Sequence, residues 1–233
     1  MLPLNKVFKH NISNPATICR KKFLHYFPKG FNDKKYYSWE RGYKWEAHLQ
    51  WKEHLNKEKY NQLIINGDYY QIANQIIKIE TKTNLLFSFE KMALRDAIRD
   101  KGAARDFSLS LFDYIYGESD KKLRFQNFSD VLKSLPRKQT RVRTWPLQTV
   151  FGFLADPNEN IFLKPIVTKK AALSYNFDFY YKSEPNWETY QSLLEFCKLI
   201  ANDNVDLKPK DLIDIQSFIW VMGSLEYPVT FEN

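Results

Sequence analysis

The segment Leu135–Pro146, LPRKQTRVRTWP, gathers chemistry suited to an anionic ligand. It holds Arg137, Lys138, Arg141 and Arg143, has no acidic residue, and ends on Trp145 and Pro146. In an extended chain alternate side chains share one side, so Arg141, Arg143 and Trp145 would point the same way. Guanidinium groups bind phosphate in a two-pronged geometry, and an indole ring can stack on a base. The segment therefore favours a nucleic-acid or other polyanion site.

Three further lysines extend this candidate site. Lys164, Lys169 and Lys170 follow within the same stretch, and a short helix predicted from Thr168 would add N-terminal amides that favour an anion. Residues 131–177 carry eight basic and two acidic side chains, whereas residues 178–233 carry four basic and ten acidic ones. The opposite charges leave two alternatives open: the basic block binds a polyanion, or it pairs internally with the acidic block.

Acidic residues raise the alternative of a metal-dependent nuclease, with Glu90, Asp178 or Asp214 in its site. A nuclease needs acids that converge on a metal ion, but acids near a helix N-terminus are also explained by the helix dipole. A third alternative is a protein-interaction module in which the acidic block, residues 178–233, docks a basic partner.

Several common chemistries have no motif in this chain. The seven glycines are never closer than 12 positions, which excludes the standard glycine-rich nucleotide loops and the GxSxG nucleophile elbow. His48 and His54 are six residues apart, so they do not share a helix face as metal ligands would. Cys197 lies on an apolar stripe, where a buried thiol is the simpler explanation. We therefore predict no metal and no cofactor.

The apolar spacing predicts a mainly helical α+β protein. Helices are predicted over 38–60, 67–80, 84–100, 104–117, 123–135, 168–176, 185–203 and 208–223, from apolar residues recurring at three and four positions. The stripe of the first of these begins just before it, at Tyr36, and continues with Trp39 and Tyr43, and the stripe of the third contains Phe89. A small β element is predicted around 160–182, with Pro165 marking an edge strand or a strand end.

The composition bounds the organisation of the chain. We predict a loose N-terminal arm over residues 1–22 and one domain over 23–233, because 233 residues suit one core. Aromatic residues make up 16% of the chain, which indicates a core built largely from rings. No apolar run approaches the length of a membrane span, and the start lacks a secretory signal. Two distant cysteines favour a reducing cytoplasm.

Four phrases of the sequence resemble a bacterial protein family of unknown activity. They are FSFEKMALRDA, LPRKQTRVRTWPLQTVFGFLADPNENIFLKP, PNWETYQSLLEF and DLIDIQSFIWV, and the similarity extends from about Phe23 to Tyr227. The resemblance implies a bacterial, cytoplasmic protein of one unit, and it carries over no functional residue.

Together these observations favour a non-catalytic nucleic-acid-binding protein, with a regulatory or defence-associated role. The binding residues would be Arg137, Lys138, Arg141, Arg143, Trp145, Lys164, Lys169 and Lys170. Phosphate neutralisation would make the affinity strongly dependent on salt. No membrane is expected to take part.

Overall fold

A computed structural model describes residues 14–228, and this part of the chain is mainly helical, as predicted. The α-helices are α1 Pro15–Tyr26, α2 Lys34–Tyr36, α3 Gly42–His54, α4 Lys57–Ile65, α5 Tyr69–Thr81, α6 Ser88–Ala97, α7 Lys101–Tyr116, α8 Lys121–Ser134, α9 Trp145–Ala155, α10 Pro165–Ser174, α11 Trp187–Asp203 and α12 Leu212–Gly223. Short 3₁₀ turns span Gly30–Asn32 and Val205–Leu207, and one turn of π-helix spans Tyr37–Arg41.

Two apolar helices form the centre of the body. Every residue of α9 is buried, as are nearly all residues of α12. Helices that are apolar on all sides pack inside a core, because only there is their whole surface removed from water. α10 packs closely against α12, and a Cβ on Gly223 would overlap the carbonyl oxygen of Val167. α7 packs on α5 and α8. One aromatic-rich hydrophobic cluster joins these helices.

The predicted β element around 160–182 is wrong, since the described residues contain no strand. Backbone amides that a β-ladder would have satisfied are instead satisfied by hydroxyl groups on neighbouring helices. Tyr190 Oη accepts from Ile161 N at 3.1 Å, and Thr149 Oγ1 accepts from Leu163 N at 3.0 Å. Ser192 Oγ likewise accepts from Tyr180 N, and Thr189 Oγ1 accepts from Lys182 N. Buried backbone groups need partners, and here helix side chains provide them.

Pro165 begins α10 instead of ending a strand. Its missing N–H is no loss at the first position of a helix, and its fixed φ suits that position. α10 therefore starts three residues before the predicted Thr168. Asn176, the last residue of the helix predicted over 168–176, adopts a left-handed φ of 56° just after the observed helix.

The N-terminal region differs from expectation in two places. Residues 15–22 of the predicted arm lie in α1, where Cys19 is buried; residues 1–13 lie outside the described part. The helix predicted over 38–60 is interrupted at Leu55 and Asn56. Asn56 then caps α4, because its side-chain oxygen accepts from Lys59 N at 3.0 Å. None of the helices between Asn14 and Pro228 has the length and apolar character needed to cross a bilayer.

Candidate functional site: an aromatic cleft with a cationic rim

A cleft of about 580 Å³ opens between α10, the loop that follows it as far as Ser183, and three further segments distant in sequence. These three are the start of α6, the loop before α9, and the end of α12 with the residues that follow it. We call this the aromatic cleft. Its lining includes Phe87, Phe89, Glu90, Arg141, Trp145, Lys164, Ile166, Lys170, Tyr181, Trp220, Leu225 and Glu226. Apolar clefts with a few polar groups are where ligands commonly bind.

Phe87 and Phe89 form a stacked pair on one wall of the aromatic cleft. Their ring centroids are 5.5 Å apart, the planes are inclined by 26°, and each side chain is about half exposed. The helix start holds them there, because Glu90 Oε2 accepts a hydrogen bond from Phe87 N at 2.8 Å. The apolar stripe had placed Phe89 in the core. Extended chain at Phe87 delays α6 to Ser88, so both rings stay at the surface.

Lys164 lies against the Phe87 ring and is buried, so it is not a surface contact for phosphate. Its Nζ is 3.4 Å from the Phe87 ring centroid, 3.0 Å from Leu85 O and 3.5 Å from Glu90 Oε2. Burial lowers the Lys164 pKa, and the Glu90 carboxylate opposes that shift. This lysine supports the Phe87 ring and neutralises Glu90 from inside the protein.

Five of the predicted cations are exposed, and two of them line the aromatic cleft. Arg141 and Lys170 lie on its rim. Lys169 Nζ is 4.8 Å from the ring centroid of Tyr181, which itself lines the cleft. Burial raises the Tyr181 pKa, and the positive charge of Arg141 opposes that shift. Lys169 and Arg141 therefore both lie close to the Tyr181 ring.

The remaining two exposed cations, Arg137 and Lys138, lie in the loop before α9. Arg137 and Arg141 border a depression of about 180 Å³ beside the aromatic cleft, together with Lys133. Arg137 Nε donates to Gln139 O within the loop at 3.1 Å. Between Asn14 and Pro228, none of the five exposed cations forms an ion pair. We refer to Arg137, Lys138, Arg141, Lys169 and Lys170 as the cationic rim.

Arg143 and Trp145 are not part of the binding surface that the sequence predicted. Tertiary contacts bury Trp145 and engage the guanidinium group of Arg143. Trp145 is the first residue of α9, is 1% exposed, and donates from Nε1 to Lys182 O at 2.8 Å. Arg143 donates to Ser129 Oγ and Pro185 O, both at 2.9 Å, and pairs with Glu184 at 3.2 Å. Arg143 thus connects the loop to the start of α11, and each of its three guanidinium nitrogens donates to a partner inside the protein.

The acidic block pairs mainly with the N-terminal third of the chain. Arg41 binds Asp211 and Asp214 at 2.6 and 2.7 Å, and Arg20 binds Asp206 at 2.5 Å. Burial alone would lower the Arg41 pKa, but the two carboxylates outweigh it and raise the pKa. Glu184 is the member of the acidic block that reaches the predicted basic segment, so internal pairing accounts for Arg143 and leaves the cationic rim uncompensated.

The three acids of the nuclease alternative do not converge. Glu90 pairs with Lys164, Asp178 is exposed, and Asp214 is buried against Arg41 and Tyr36. The described residues contain no group of three or more His, Cys, Asp or Glu side chains that could hold a metal ion.

The histidine and cysteine candidates have structural partners. His48 is buried with Nδ1 2.9 Å from Leu154 O. Burial raises the pKa of Cys19 to about 11 and raises that of Cys197 further, so both thiols stay protonated at neutral pH.

Comparison with known proteins adds no relative. No protein family, no curated protein and no solved structure matches the chain. The resemblance to a bacterial family remains a prediction.

Proposed function

We propose that this protein binds single-stranded nucleic acid without transforming it, with bases in the aromatic cleft and phosphates on the cationic rim. The observation that carries the proposal is the position of the stacked Phe87–Phe89 pair in the same cleft as Arg141 and Lys170. Single-strand binders combine a positively charged groove with aromatic rings on which bases stack. The bases of a duplex are stacked on each other and could not enter such a cleft.

The chemistry of the cleft matches the two parts of a nucleotide. The rings provide apolar faces for a base, and none of the rim cations is held in an ion pair among the described residues. Glu90 adds little repulsion because Lys164 neutralises it. Glu226 accepts from Trp220 Nε1 at 3.2 Å and lies on the side of the cleft formed by the C-terminal segment. The phosphates are therefore expected to follow the Arg141–Lys170 side.

The test is fluorescence anisotropy of a labelled oligothymidylate and an oligouridylate at 50 mM salt. Replacing both rings, F87A/F89A, should weaken binding at least about fivefold, since one stacked base contributes about 1–3 kcal/mol. F87L/F89L keeps apolar bulk without a ring face and should lose most of the same affinity. Tyr70→Ala, an exposed aromatic on α5 outside the cleft, should bind as the wild type does. Wild-type affinity in F87L/F89L would refute stacking.

A protein-interaction function is the second candidate, and the exposure of Leu225 and Ile166 favours it. These side chains on the edge of the aromatic cleft are 84% and 66% exposed, and apolar patches of this kind commonly mark protein interfaces. A partner held by them would survive nuclease treatment, would be lost in L225E, and would be retained by F87L/F89L. That combination, with no oligonucleotide binding, would favour this candidate over the first.

The proposal includes a cytoplasmic location; the bacterial origin is what the family resemblance implies. The supporting observation is that Cys19 and Cys197 are both buried free thiols. Fractionation of cells producing the full chain would test it.

A further inference from the structure

A second exposed aromatic surface lies on the π-turn before α3. Tyr37 and Trp39 are 51% and 52% exposed, and Lys34 and Lys35 precede them at the surface. Lys35 Nζ lies 4.1 Å from the Trp39 ring centroid. We call Lys35, Tyr37 and Trp39 the π-turn surface. It combines the same two chemical features as the aromatic cleft, namely exposed rings and cations.

The exposure of Trp39 follows from the π-turn itself. A regular helix would place Trp39 on one stripe with Tyr36 and Tyr43, facing the core. The π-helix has wider turns, bonding i to i+5, and it changes the register so that Trp39 turns outward. Inward-facing side chains hold this geometry: Glu40 binds Lys44 Nζ at 3.2 Å, and Arg41 binds the two aspartates of α12.

This inward network makes Trp39 a rigidly presented ring. Tyr36 Oη donates to Asp214 at 2.5 Å, and Tyr227 Oη donates to Glu40 at 2.6 Å. The backbone that carries Trp39 is thus fixed on both sides by buried contacts. A ring presented in this way loses little conformational entropy when a ligand stacks on it.

A chain of ring contacts connects the π-turn surface to the aromatic cleft. Trp39 contacts Phe27 edge-on with centroids 6.4 Å apart, and Phe27 contacts Tyr227 at 6.0 Å. Tyr227 directly follows Leu225 and Glu226, which line the cleft. The π-turn surface is thus connected to the segment Ser224–Tyr227, which borders the cleft, through the buried rings of Phe27 and Tyr227.

We propose that the π-turn surface is a second stacking site for the same nucleic-acid strand, so that the preferred ligand is a single strand long enough to occupy both surfaces. This inference rests on the proposed function, because the first site on the strand is the aromatic cleft. Lys35 would contact a phosphate next to the base that stacks on Trp39. A short oligonucleotide would fill the cleft alone.

The experiment compares (dT)5 with (dT)20 by anisotropy at 50 mM salt. Trp39→Ala should weaken (dT)20 binding at least about fivefold and leave (dT)5 binding unchanged, given the contribution of one stacked base. Trp39→Phe should recover most of the loss, because it keeps a ring. Tyr70→Ala is the matched exposed control and should change neither affinity. F87A/F89A should weaken both lengths.

The outcomes separate the two proposals. If F87A/F89A weakens binding but Trp39→Ala changes neither length, or both equally, the second site is refuted and the first stands. If the wild type binds neither oligonucleotide, both proposals fall. Circular dichroism spectra identical to that of the wild type would exclude misfolding as the cause of a loss.

Discussion

The salt dependence of binding gives the sharpest test of how the structure revised the candidate site. The sequence proposed seven cations, and the structure leaves the five of the cationic rim, because Arg143 and Lys164 are engaged internally. For a single strand the slope of log K against log salt is about −0.7 for each phosphate neutralised. The five contacts of the cationic rim predict a slope of about −3.5, a sixth contact at Lys35 of the π-turn surface would bring it to about −4, and all seven cations of the sequence prediction would give about −5.

The measurement is an anisotropy titration of labelled (dT)20 at several salt concentrations from 50 to 200 mM. A slope of about −3.5 corresponds to a loss of affinity of roughly 100-fold over this range. Removing two rim charges, R141A/K170A, should bring the slope to about −2. The matched double variant R105A/K198A removes one arginine and one lysine from the exposed surface elsewhere, and its slope should equal that of the wild type.

Two results would refute this reasoning in different ways. If the slope is near −5 in the wild type and becomes less steep in Arg143→Ala, Arg143 exchanges its internal contacts for a phosphate contact on binding. An affinity independent of salt would remove the cationic rim as a binding site. Equal slopes in R141A/K170A and R105A/K198A would mean that charge acts through the whole protein and not through the rim.

Two further predictions concern the body that holds the site. Arg41→Met should lower the free energy of unfolding by about 3–5 kcal/mol, because it leaves the Asp214 carboxylate buried without a cation. Arg20→Ala breaks an exposed ion pair and should lower the free energy of unfolding by less than about 1 kcal/mol. Urea unfolding followed by tryptophan fluorescence measures both, and equal losses would contradict the prediction. Burial lowers the His48 pKa, so the unfolded chain takes up a proton that the folded chain resists, and stability should fall as pH drops below about 6.5. His48→Gln should lose up to about 1 kcal/mol less than the wild type between pH 7.5 and 5.5, and an equal loss would contradict this.

The sequence determined the helical character of the protein and the location of most helices. Apolar residues that recur every three and four positions predicted α5, α7, α8, α11 and α12, because the buried face of a helix requires apolar residues at that spacing. The sequence also showed that Arg137, Lys138 and Arg141 have no acid near them along the chain, but it left open whether the acidic block pairs with them.

Tertiary structure decided which of the predicted site residues reach a ligand. Nothing local distinguishes Arg141 from Arg143, yet Glu184 and the Pro185 carbonyl, 41 and 42 residues away, engage only the second. The absence of strands at 160–164 and 177–182 depended on hydroxyl groups of α9 and α11, which accept from the backbone amides that a β-ladder would have paired. Phe89 and Trp39 lie on apolar stripes in sequence, and a delayed helix start and a π-turn bring them to the surface. Periodicity records the average environment of a helix face, whereas a binding site is built from contacts between segments that only folding brings together.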